Sequence, residues 1–119
     1  MPRPRVLAYG PPLLVEGATA ILKNLDWFET VQMIDPVYTS LDDLRQEENQ
    51  LLIFFSEGLA PREIERFSRY VVVSDQSQSD GVLVALSTFD TLKTFRVGLL
   101  SALSGLQYRS QKHKNKNRY

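Results

Sequence analysis

Few side chains in this 119-residue chain are placed for chemistry, and each group can be weighed by what its residue types would do. A general acid-base pair needs two carboxylates facing one substrate. Asp42 with Asp43, and Glu47 with Glu48, are adjacent pairs that would point in different directions on a helix, so they read as a solvated face. His113 is the single histidine and lies among lysines, which leaves a Ser-His-Asp relay or a histidine metal site without its other members. Zero cysteines removes disulfides, thiolate chemistry and cysteine-ligated zinc together. Ser74, Asp75, Ser77, Ser79 and Asp80 are rich in oxygen ligands but lack the spacing of a calcium loop, and they read as a polar linker. Gly10-Pro11-Pro12 is too short and rigid to cradle a phosphate, which needs several free backbone amides. No catalytic residue, cofactor or metal site is assigned.

Charge carries more information. The net charge is zero, yet Arg109, Lys112, Lys114, Lys116 and Arg118 fall in the last eleven residues without an acid, leaving nine basic residues beside all fourteen acids. A mildly acidic body with a basic tail is the result. The tail is either a solvated terminus or a contact for nucleic acid or an acidic protein surface.

The elements that would position these groups follow from apolar patterning. Val6 to Tyr9 is a near-continuous apolar run, expected of a strand covered on both faces. Gly10, Pro11 and Pro12 end it, and Leu14, Ala18, Ile21 and Leu25 then recur on one helical face. Thr30 to Ile34 reads as a second strand. Ser40 and Asp43 have the spacing of a cap for a short helix reaching Gln50. Leu51 to Phe55, the most apolar run, is the expected central strand. Pro61 opens a third short helix containing Ile64 and Phe67, and Tyr70 to Val73 makes a fourth strand. Val82 to Leu86 makes a fifth. Ser87 and Asp90 form another capping pair ahead of a long last helix, about Thr88 to Ser104, stopped by Gly105.

That last helix is apolar on more than one side. Leu92, Phe95, Leu99, Leu103 and Leu106 make a stripe for the sheet, while Phe89, Val97 and Leu100 make a second side apolar too. Either loops bury that second side within the chain, or it is a surface for a partner or for self-association.

The opening segment, with Pro12, Leu13, Leu14, Val15, Glu16 and Gly17 after an apolar strand, resembles the receiver domain of response regulators, particularly the kind carried by LuxR-type transcription factors. The resemblance implies a flavodoxin-like α/β sandwich with a five-stranded, mostly parallel sheet in the order 2-1-3-4-5. It covers most of residues 5 to 105. Ser74 to Asp80 is too short for a βαβ crossover with its helix, so the fourth helix is expected to be missing or vestigial. The fifth strand can then be parallel or antiparallel. Residues 1–107 form the expected receiver-like domain and 108–119 the tail.

The resemblance also implies where phosphoryl-transfer chemistry would stand. Gly10 and Pro11 occupy the place of the magnesium-binding carboxylates, Phe55 and Ser56 that of the phosphoacceptor aspartate, and Leu86 and Ser87 that of the lysine. Only Ser74 matches, at the hydroxyl position. The expectation is a degenerate pseudo-receiver with no enzymatic activity, acting as a phosphorylation-independent interaction module in bacterial signalling or transcriptional regulation. Its partner-binding residues would be Phe89, Val97 and Leu100, in the region where receivers meet partners and form homodimers. A nucleic-acid-associated regulator using the tail is the alternative. No apolar run approaches the ~20 residues of a membrane span, and Met1 to Arg5 lead into the first strand without a signal-like apolar region; a cytoplasmic protein is expected.

Overall fold

Apolar runs bounded by glycine, proline or acidic residues set the strands. In the computed structural model, which describes residues 3–110, β1 (Arg5–Tyr9), β2 (Thr30–Ile34), β3 (Gln50–Ser56), β4 (Tyr70–Ser74), β5 (Val84–Leu86) and β6 (Tyr108–Arg109) form one sheet in the order β2-β1-β3-β4-β5-β6. Every adjacent pair is parallel. The first five strands thus take the 2-1-3-4-5 order known from Rossmann-like α/β folds, but with helices on one face of the sheet in place of the expected three-layer sandwich. The expected five-stranded sheet gains a sixth strand, and the open question of β5 is answered as parallel.

Strand alternation sorts the core into two layers. Val6, Ile53, Phe55, Val71, Val73 and Leu86 face one side, where α1 (Pro12–Leu25) and α2 (Leu92–Leu103) cover them. Leu52, Phe54, Tyr70, Val72 and Ala85 face the other. There the two expected short helices are only 3-10 turns, Leu41–Asp43 and Arg62–Arg66. A short helix survives through an amphipathic face, and Arg45 to Gln50 has none. Arg66 closes this side instead: its guanidinium donates to the carbonyls of Leu41 and Leu44 at 2.6 and 2.9 Å and lies over the Phe67 ring.

No helix separates β4 from β5, and side chains hold the intervening loop. Gln78 Nε2 donates to the carbonyls of Gly58 and Gln76, and Tyr70 Oη donates to that of Gly81. Arg109, from β6, donates to the carbonyls of Gln78, Ser79 and Val82. Tyr108 and Arg109, expected in the tail, therefore belong to the sheet. Arg109→Ala should cost about 2 kcal/mol, in the range of hydrogen bonds made by charged groups, as measured by urea unfolding. No loss of stability would mean that the loop holds itself.

The two helices share one face, although β1 to β2 and β5 to β6 advance across the sheet in opposite directions. The two crossovers consequently have opposite hand, so one departs from the right-handed rule. Close packing helps hold α2 there. A Cβ on Gly98 would stand 2.6 Å from Leu86 Cδ1, so the bare glycine lets the helix backbone settle onto β5.

Candidate interaction site at the carboxyl edge

Open α/β sheets bind ligands beyond the carboxyl ends of their strands, so that edge is where chemistry would be found. At Gly10, with φ +153°, an added Cβ would lie 2.6 Å from Phe55 Cβ. Backbone and phenylalanine thus fill the space beside Gly10, where the resemblance to receivers would put carboxylates. Ser56 Oγ donates to the Gly58 carbonyl at 3.0 Å. Ser74, which matches the hydroxyl position, is fully buried and donates to the same carbonyl at 2.9 Å. Tyr9, ending β1, donates its hydroxyl to the Thr39 carbonyl. Burial, then the carboxylates of Asp35, Asp42 and Asp43, push its pKa above the ordinary tyrosine value, so it stays a neutral donor near pH 7. Among the described residues no cluster of three or more His, Asp or Glu side chains could hold a metal.

What the edge does offer is an apolar cleft of about 420 Å³ between α1 and α2. Leu14, Ala18 and Ile21 form one wall, Leu92 and Phe95 the other, with Phe55 and Val73 lining it from the sheet. Leu13 stands on one lip. Phe89, in the turn between the cleft-lining residues Thr88 and Asp90, is exposed but does not itself line the cleft. A bonded turn mounts it: Ser87 N–H donates to Asp90 Oδ2 at 2.7 Å, Phe89 N–H to Ser87 Oγ, and Asp90 N–H to the Ser87 carbonyl. Thr88 Oγ1 donates to Asp75 Oδ1.

The sequence-derived site residues fall into separate places. Val97 and Leu100 lie on the outer side of α2, 38% and 51% exposed, so the described loops do not bury that side. Phe89 precedes the helix, which starts at Leu92 with Thr91 as its cap; Ser87 and Asp90 shape the preceding turn instead. Leu92 and Leu106, assigned to the buried stripe, are exposed, and α2 packs through Gly98, Leu99 and Ala102. Small residues let that face approach most closely. On α1 the buried residues are Val15, Ala18, Thr19 and Leu22, so Leu14 and Ile21 turn toward the cleft. Leu13 and Leu14 were legible only as a pair beside the prolines, with nothing to show that they stay uncovered. Of the basic residues, Arg109 is bonded to the β4–β5 loop, while Lys112, Lys114, Lys116 and Arg118 lie outside the described residues.

No family model matches the chain, and no curated protein does. Among solved structures it is similar to a Bacteroides fragilis protein assigned as a phosphosugar isomerase involved in capsule formation, with 16% identity and a TM-score of 0.48. The match covers 87% of this chain, which spans 65% of the other. Among the described residues, no helix is long and apolar enough to cross a membrane.

Proposed function

We propose that the chain is a non-catalytic pseudo-receiver, working in bacterial signalling or transcriptional control by binding protein through its carboxyl-edge cleft and the neighbouring surface of α2. The observation that carries the reading is apolar surface left uncovered in two places, Val97 and Leu100 on the outer side of α2 and Phe89 before it, in addition to the cleft of apolar lining between α1 and α2. Support also comes from the positions that a phosphorylated receiver needs. Gly10 and Phe55 pack on each other, and Ser74 is engaged by Gly58. Incubation with a small phosphodonor and Mg²⁺ should therefore give no mass increase. A stoichiometric adduct on any aspartate would overturn the non-catalytic part of the reading.

Leu100→Glu tests the binding part. An unpaired charge is costly inside an apolar contact, whereas exposed substitutions usually change stability by no more than about 0.5 kcal/mol. The variant should keep its melting midpoint within about 3 °C and lose capture of a protein partner at moderate salt. If it unfolds, the outer side of α2 is part of the core. If neither property changes, the contact lies elsewhere. Sequence charge favours the basic tail as a second reading, and phosphate contacts would show as binding that weakens steeply with salt.

A further inference from the structure

We propose that the cleft between α1 and α2 binds a small aryl-alkyl amine, its ring among the apolar side chains and its ammonium against the carboxylate of Asp90. The inference goes beyond the protein-binding reading and does not rest on it. A cleft of about 420 Å³ falls in the range of small-molecule sites, which combine an apolar lining with a few polar groups that select the ligand's head. Phe55 from β3 and Phe95 from α2 line it and favour an aromatic ring, which packs offset or edge-to-face against others of its kind. Gly17 leaves the α1 wall bare, since a Cβ there would meet nothing within 4 Å.

The polar groups decide the head. Ser87, Thr88, Asp90 and Thr91 supply the hydrogen-bonding side chains of the lining, and the hydroxyls are already engaged. Ser87 Oγ accepts from Phe89 N–H, Thr88 Oγ1 donates to Asp75 Oδ1, and Thr91 Oγ1 accepts from Thr94 N–H while donating to Thr94 Oγ1. Asp90 differs. Its Oδ2 accepts from Ser87 N–H, whereas its Oδ1 accepts from no described residue. The lining thus presents one side-chain oxygen without a protein donor, and that oxygen is charged.

Charge then separates the ligand classes. Among the described residues Asp90 is the one ionisable side chain lining the cleft, so a carboxylate or phosphate head would face like charge with no cation to offset it. A polyol would bring several hydroxyls to a lining whose own hydroxyls are occupied, and would leave them unpaired. An alcohol can donate one bond. An ammonium donates one too, and with both partners charged that bond is roughly twice as strong as a neutral one. The turn that carries Asp90 is bonded through Ser87 and Phe89, so the carboxylate is held at the cleft before a ligand arrives and little freedom is lost on binding.

Titration of the full chain, followed through the amide resonances of Gly17, Thr88 and Leu92, tests this with probes that share a phenyl ring and an ethylene spacer: 2-phenylethylamine, 2-phenylethanol and 3-phenylpropionate. The amine should saturate with a dissociation constant below about 1 mM, and the carboxylate should fail to saturate by about 10 mM. The alcohol should bind at least about threefold more weakly than the amine. Asp90→Asn should bring the amine to the alcohol's level, because the asparagine side-chain oxygen can still take the Ser87 N–H. Gly17→Leu should abolish binding of amine and alcohol alike by filling the space, without a lower melting midpoint, since leucine suits a helix better than glycine. A wild type that does not saturate with the amine overturns the proposal. So does amine binding that shows no preference over the alcohol and the carboxylate, keeps its preference in Asp90→Asn, or is untouched by Gly17→Leu. The comparison of the probes on the wild type decides the matter even where a variant is destabilised. Leu100→Glu should leave amine binding unchanged, and partner capture lost in that variant would leave the interaction-module reading standing whatever the amine does.

Discussion

Phe54→Ala should destabilise the protein by roughly 3–5 kcal/mol, the range of large aromatic truncations in cores. Phe54 is buried in β3, at the middle of the sheet. It faces the side closed by two 3-10 turns rather than by helices, and its ring stacks on Tyr9 with centroids 5.4 Å apart. A layer built from turns has few ways to collapse into a vacated volume, so the cavity term should stay near its full size. Tyr9 would also lose its stacking partner, while the hydrogen bond to Thr39 holds it in place. Equilibrium urea unfolding at neutral pH gives the number directly. A loss below about 1 kcal/mol, typical of surface sites, would place Phe54 outside the core.

How much of this was legible follows from which signals are local. The strands were readable because Val6 to Tyr9, Leu51 to Phe55 and Tyr70 to Val73 are apolar runs with clear stops, and all three are strands of the sheet. The two-residue β6 carries no such signal. It exists because Tyr108 N–H reaches the Leu83 carbonyl and Ser110 N–H that of Ala85, with Arg109 clamping a loop about thirty residues earlier in the chain. Nothing local encodes contacts of that range.

Helix faces were legible only in part. On α1 the set Leu14, Ala18, Ile21 and Leu25 and the set Val15, Ala18 and Leu22 both fit a helical period, and the strands beneath select the second. The apolar residues left over line the cleft. On α2 the leucines suggested the buried side, whereas Gly98 and Ala102 mark it because backbone approach depends on small side chains. The candidate site was therefore half visible: Phe89, Val97 and Leu100 stood out as surplus, and its other half, on α1, was hidden by an ambiguity of phase.

Gly10→Asp, which puts a carboxylate where the resemblance would place one, should be among the most damaging single changes, at roughly 3–5 kcal/mol from backbone strain and overpacking together. The new Cβ would meet Phe55 Cβ at 2.6 Å and the Phe55 carbonyl oxygen at 3.2 Å, with φ at +153°. The collision comes from the first side-chain atom, before any carboxylate is reached. Gly10→Ala should therefore show most of the same loss, and Phe55→Leu should not rescue it, because leucine keeps the offending Cβ. Only removing that atom, as in Phe55→Gly, would make room, at the expense of a buried ring. If Gly10→Ala melts with the wild type, β1 and β3 do not approach as described. If Gly10→Asp alone is destabilised, charge burial rather than contact governs the position. The steric outcome would mean that no single substitution can place a carboxylate there, because β1 and β3 leave no space for its Cβ.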